Sequence, residues 1–168
     1  MPPTGPAEGM DRPRPPAAAG VRAEWTKVPE RVRAAVEERL GSPVGSATSL
    51  SGGFSPGVAA RLGTMDGRRV FVKAVGPEPN PDSPAAHRRE AEIAAALPPD
   101  VPAPRLLWSY DEGEHGWIVL AFEDVDGRNP TEPWRPGELD RVLDALVALA
   151  GLLTPSSLPQ TPVGSPSD

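Results

Sequence analysis

The sequence contains no cysteine and only two histidines, His87 and His115. The first absence excludes a disulfide framework and a thiolate metal site, and the second leaves too few imidazoles for a histidine-rich one. Long apolar runs are missing too. No window approaches the roughly 18 apolar residues that a membrane-spanning helix needs, and the start lacks the continuous apolar stretch of a signal peptide. Aromatic residues make up 5% of the 168 positions and the net charge is −6, so no basic stripe interleaved with aromatics offers itself to nucleic acid. These absences give the expectation of a cytoplasmic protein with neither a nucleic-acid nor a membrane partner. Lysine is nearly missing as well: Lys27 and Lys73 are the only lysines among 17 basic residues, and the rest are arginine.

What the chain has in excess is proline and glycine, 24 and 17 residues, unevenly spread. Residues 1–24 are rich in Pro, Ala and Arg, and residues 154–168 in Pro and Ser; neither stretch has the apolar content to offset the entropy of ordering its backbone. Both are expected to be disordered tails.

Between them the order of elements is legible. "VPERVRAAVEERLG" puts Val32, Ala35, Val36 and Leu40 at helical spacing, with Pro29 near the start and Gly41 as a stop, and predicts an amphipathic helix within 25–43. "VGSATSL", "VAARLGT" and "RRVFVKAV" read as three antiparallel strands, the last two joined by a hairpin at Asp66-Gly67. A helix is expected from about Pro84 to Leu97, then two strands in "RLLWSY" and "WIVLAF" around the turn "DEGEHG". After the connection "DVDGRNPTEPWRPG", the last helix, 138–153, carries Leu139, Val142, Leu143, Leu146, Leu149, Ala150 and Leu153 on one wide apolar face.

Lys73 stands in the middle of the third strand. Alternation puts it on one face with Phe71 and Val75, while Val70, Val72 and Ala74 take the other. An ammonium among apolar neighbours is costly to desolvate unless a carboxylate meets it. The next helix offers Glu90 and Glu92, and its phase chooses: Ala86, Glu90, Ile93 and Leu97 form one stripe facing the core, whereas Glu92 points to nearly the opposite side. Three readings of such a pair stand side by side. Lys73 can be an amphipathic residue snorkelling to the sheet edge, a desolvated Schiff-base nucleophile, or a phosphate-binding lysine held by Glu90. The glutamate counts against the nucleophile, because it keeps the lysine protonated.

Upstream stands "SLSGGFSPG" between two strands. It is no Walker A loop, since no Gly-Lys-Ser or Gly-Lys-Thr follows and the next element is a strand. Its glycines let backbone N–H groups approach a polyphosphate closely around Ser51, Gly52, Gly53, Phe54 and Ser55, with the Ser51 and Ser55 hydroxyls as further donors. Downstream, "WIVLAF" is apolar throughout, as a strand buried on both faces should be, and it stops at Glu123-Asp124. A strand-to-linker exit of this kind supplies the apolar slot and backbone donors that an adenine ring needs.

Glycine-rich hairpin, strand lysine, helix glutamate and strand-to-linker exit, in that order, resemble the parts of a protein-kinase-like nucleotide lobe. The stretch from about Val28 to Leu153 resembles the amino-terminal part of the aminoglycoside phosphotransferase family, kinase-like enzymes that phosphorylate small molecules. "GGFSPGVAARL" resembles that family's nucleotide loop, "VFVKAV" its third strand and "EAEIAAAL" its glutamate helix; "VPAPRLLW" and "WIVLAFEDVDGR" resemble its fourth strand and its fifth strand with the hinge. The resemblance implies an α+β fold: an antiparallel sheet of about five strands with an αC-type helix over 44–126, followed at 127–153 by a linker and the first helix of a carboxy-terminal lobe. It implies that ATP is the cofactor, that Lys73 contacts its α- and β-phosphates, that Glu90 holds Lys73, and that the backbone of Phe122, Glu123, Asp124 and Val125 meets the adenine edge.

The family's catalytic aspartate sits in a His-Gly-Asp motif, and neither histidine here begins one. No catalytic residue and no magnesium ligand is therefore assigned in this chain; Asp140 and Asp144, four apart on the last helix, read as a solvated face. A missing lobe would carry the magnesium ligands and select the small-molecule acceptor, which this sequence does not reveal. It would also cover the apolar face of the last helix, whose larger side chains are each worth roughly 1.5–3 kcal/mol when buried. The competing reading is a non-catalytic α+β module that binds a protein partner through that same helix.

Overall fold

The computed structural model describes residues 22–50, 57–128, 130–131 and 133–156. Most of both proline-rich tails lies outside the described residues, as does the loop 51–56. Among the described residues the chain opens with a single 3-10 turn at Trp25–Lys27 and the helix α1, Glu30–Leu40. Val32, Val36 and Leu40 recur at a spacing of four and are the residues this helix buries. Gly41 ends it in the left-handed conformation (φ 66°), where a side chain would strain the backbone.

Three strands follow, β1 (Val44–Ser49), β2 (Val58–Thr64) and β3 (Arg69–Val75). Then come α2 (Ser83–Ala96), β4 (Leu106–Asp111), β5 (Ile118–Glu123) and α3 (Glu138–Leu152). The five strands form one antiparallel sheet in the order β1-β2-β3-β5-β4. The β2–β3 turn closes at Gly67, whose φ of 87° only glycine adopts without strain.

Register then decides which side chains share a face, because residues directly opposite one another point the same way. Val58, Ala60, Leu62, Val70, Val72, Ala74, Val119 and Ala121 form one face and pack beneath Trp25, Val28, Val32, Val36 and Leu40. The amphipathic helix thus closes one side of the sheet. On the other face Val75, Ile118, Leu120 and Phe122 are buried, with Phe71 beside them and Ala91 and Ala94 of α2 against them. Lys73 belongs to this second face with Phe71 and Val75, as alternation requires. Ile118 to Phe122 are all buried, which fits a strand covered on both sides.

One detail departs from the sequence reading. Ala86 is exposed; α2 instead buries Ser83, Pro84 and His87, so its contact face is rotated from the expected stripe. In a helix so rich in alanine the apolar periodicity is weak, and the first turn is fixed by proline packing rather than by the stripe. The face of α3 is largely uncovered, with Leu139, Leu143, Leu146, Val147 and Leu152 exposed. Among the described residues no helix is long and apolar enough to cross a membrane.

Candidate functional site

Lys73 is opposite Ala59 on β2 and Leu120 on β5; one rung along, Phe71 is opposite Arg61 and Phe122. These two rungs place an ammonium beside a pair of aromatic rings, Phe71 and Phe122, whose centroids are 6.4 Å apart. Lys73 Nζ donates to Glu90 Oε1 at 2.5 Å. Glu92 turns outward and pairs with Arg89 at 2.8 Å, so helix phase had selected the right glutamate.

The pair is less buried than a lysine in an apolar strand suggested. The side chains of Lys73 and Glu90 keep 29% and 37% of their accessibility. The reason is that α2 touches this face mainly through its first turn and Ala91 and Ala94, leaving a cleft open beyond them. That cleft has a volume of about 300 Å3 and is lined by Phe71, Ile93, Ala94, Leu97, Ala103, Pro104 and Phe122, with Lys73 and Glu90 as its charged groups. An apolar slot with one oriented cation at its edge can receive a planar ring and an anionic tail.

Phe122 is buried and leads into the strand's exit. There the Glu123 amide donates to the Arg105 carbonyl at 3.0 Å. Its carboxylate accepts from Arg105 Nε, also at 3.0 Å, which holds the carboxyl below the usual range. Asp124, with only 4% of its side chain accessible, is gripped from the sheet: Arg61 Nε donates to Oδ1, and Oδ2, which takes no hydrogen bond, faces Arg69 Nε at 3.2 Å as an ion pair. Arg61 also donates to the Val125 carbonyl at 3.1 Å. The Asp124 side chain and the Val125 carbonyl are therefore committed to the sheet, while no bond among the described residues engages the Val125 amide.

Sequence reasoning missed Arg61, Arg69 and Arg105 as parts of this site. The only signal was Arg61 itself, a charge between Ala60 and Leu62 in an otherwise apolar strand. Ser51, Gly52, Gly53, Phe54 and Ser55 lie outside the described residues. The loop's flanks are anchored: the Leu50 amide donates to the Ala59 carbonyl at 2.8 Å, and Gly57 is buried where an added Cβ would meet the Ala74 carbonyl oxygen at 2.6 Å. His115 is exposed in the β4–β5 turn, and Asp140 and Asp144 are exposed on α3. Among the described residues no group of three or more His, Asp or Glu side chains could hold a metal ion.

Residues 46–165 match the model of the phosphotransferase enzyme family. Among solved structures, the crystal structure of a Thermobifida fusca protein assigned as a fructosamine-3-kinase is similar at 27% identity, over 60% of this chain and 33% of that one, with a TM-score of 0.39. The chain spans about a third of that protein's length. No curated protein matches. The family match covers well over half of the sequence and contains the lysine strand, the glutamate helix and the strand exit in order; the chain belongs to the phosphotransferase enzyme family.

Proposed function

We propose that the chain is the ATP-binding lobe of a cytoplasmic small-molecule kinase, with 44–126 as the lobe itself and 127–153 as the passage into a second lobe that carries the catalytic loop. The observation that carries this reading is the Lys73–Glu90 pair at the edge of an apolar cleft bounded by Phe71 and Phe122. ATP would supply the transferable phosphoryl group. Lys73 holds the α- and β-phosphates, Glu90 keeps its ammonium aimed, and the two rings flank the base. The unengaged Val125 amide is the donor offered to the adenine edge, and the sequence of residues 51–55, which lie outside the described residues, offers backbone N–H groups to the phosphates. By the same family resemblance, the magnesium ligands and the acceptor site belong to the second lobe.

Titration with Mg-ATP while following tryptophan fluorescence tests this, with Trp117 and Trp108 packed against the sheet core as reporters. Saturable binding is expected, weakened about 10- to 150-fold in Lys73→Ala, the loss of one charge-assisted contact. A folded chain that binds no nucleotide, or binds it indifferently to Lys73, would overturn the reading.

A second reading rests on α3, whose Leu139, Leu143, Leu146 and Val147 are 49% to 72% accessible. A patch of that kind marks an interaction surface. If the chain were a non-catalytic module, Leu143→Glu with Leu146→Glu would abolish partner capture, and nucleotide binding would be absent from the outset.

A further inference from the structure

We propose that Arg88 is the positioning residue for the phosphate lysine: it clamps α2 to the β4–β5 turn and so keeps Glu90 within reach of Lys73. This deepens the nucleotide-lobe reading and rests on it.

The clamp is needed because the apolar packing of α2 against the sheet is slight. Its buried residues are Ser83, Pro84 and His87 in the first turns; beyond them only the small side chains of Ala91 and Ala94 pack against the sheet. No side chain caps its start, and no basic residue sits in its last turn. Methyl groups on a flat sheet face resist sliding poorly, and a helix advances about 1.5 Å per residue. A slip of one residue would therefore open a 2.5 Å contact between Lys73 and Glu90. The pair cannot fix the helix alone, since both side chains are long, rotatable and about a third exposed.

Arg88 precedes Glu90 by two positions and reaches in another direction, to the β4 edge of the sheet. Asp111 ends β4 opposite Ile118 and so points to the same face as α2. The guanidinium takes its carboxylate in a fork, Nε to Oδ2 at 2.8 Å and Nη2 to Oδ1 at 2.7 Å. Nη2 also donates to the Gly113 carbonyl and Nη1 to the Glu114 carbonyl at 3.4 Å. Asp111 Oδ1 in turn accepts the Gly113 amide at 2.9 Å, so the turn is shaped around the cation by the same carboxylate. A planar fork on four acceptors fixes both the height and the tilt of a helix, which a point charge does not. The Arg88 hydrogen bond accordingly holds the Asp111 carboxyl below its ordinary range.

The test uses the whole chain and its lack of cysteine. Spin labels on Met65→Cys, in the β2–β3 turn, and on Glu92→Cys, on the outer side of α2, occupy positions that are both exposed. Pulsed electron resonance then reads the spacing between helix and sheet. A narrow distance distribution is expected in the parent, a broadened or shifted one in Arg88→Gln, and an intermediate one in Arg88→Lys, which keeps the charge without the fork. Mg-ATP affinity should fall about 5- to 30-fold in Arg88→Gln with far-UV circular dichroism unchanged. Should Arg88→Gln fail to fold, Arg88→Lys and Asp111→Asn decide the matter by the same two readouts. Unchanged distances and unchanged affinity in the folded variants would overturn the proposal, as would a lower melting temperature with neither of them altered. Distances that broaden in Arg88→Gln relative to a parent that itself binds no ATP would uphold the clamp and sink the nucleotide reading, so the two fail separately.

Discussion

Arg61 and Asp124 join the second strand to the point where the chain leaves the fifth, 63 positions later, and the same guanidinium holds the Val125 carbonyl at 3.1 Å. The carboxylate is nearly inaccessible, whereas Arg61 and Arg69 keep 32% and 54% of their side-chain exposure. Removing the charge therefore leaves two guanidinium groups that water can reach, and the cost is that of a partly screened ion pair. Asp124→Asn should lower unfolding free energy by about 1–2 kcal/mol in urea titrations. A double-mutant cycle with Arg61→Gln should show coupling of about 0.5–1.5 kcal/mol; additive effects would mean that the latch contributes nothing. Because the latch sets the backbone next to the Val125 amide, Asp124→Asn should also weaken Mg-ATP binding.

Glu90 and Glu92 make a matched comparison on one helix. Glu90→Gln keeps a hydrogen-bond acceptor for Lys73 but removes the charge, so stability should change by less than about 1 kcal/mol for so exposed a pair. Mg-ATP affinity should drop about 3- to 10-fold, because a neutral acceptor aims the ammonium into the cleft less firmly than a carboxylate does. Glu92→Gln, which alters only the contact with Arg89, should leave affinity as it was. Equal effects from the two substitutions would contradict the assigned roles.

The parts of this site that were legible in the sequence are those governed by local periodicity. Strand alternation placed Lys73 with Phe71 and Val75, and helix phase chose Glu90, because both follow from the geometry of one element. Arg61 with Asp124 and Arg88 with Asp111 were illegible for the converse reason. Each joins two elements, and its partner is set by the register of β2 on β3 on β5, or of β4 on β5, which no single stretch encodes. An arginine on a helix also looks solvent-facing whether or not a strand end lies beneath it. The half-exposure of Lys73 was missed because sequence gives the parity of a strand residue but not how far the covering helix extends over it.

His87 should make stability depend on pH below neutrality. It is buried, its Nδ1 lies 3.0 Å from the Ser83 carbonyl and must carry the proton there, and burial pushes its pKa below the ordinary 6.5. Glu90 opposes that shift, while Lys73 and Arg22 add to it. The unfolded chain thus binds a proton that the folded one resists, so stability is full above about pH 6.5 and falls as the pH drops through that value. Urea unfolding at pH 7.5 and 5.5 should show a larger loss in the parent than in His87→Leu. Because His87 is among the few buried residues of α2, the protection of that helix's amides, taken relative to the intrinsic exchange rate at each pH, should fall over the same interval.

Glu138 should titrate far below the ordinary glutamate range and govern the order of the passage into α3. Its carboxylate accepts the Arg135 amide at 2.9 Å, Arg128 Nη2 at 2.8 Å, and the Thr131 amide and hydroxyl at 3.2 Å each. These donors, the Arg135 amide foremost, lower its pKa from 4.5 to about 2. The folded state therefore prefers the ionised form: the stabilisation is complete above about pH 4.5 and is lost as the pH falls toward 2. A carbon-13 titration of the side-chain carboxyl should have its midpoint near 2. Glu138→Gln retains one acceptor oxygen and adds a donor where the site offers three N–H groups and a hydroxyl, so it should release residues 128–137 while leaving the sheet intact. Faster amide exchange confined to that segment and the first turn of α3 would show it; a midpoint near 4.5 would mean that the four contacts do not hold in solution.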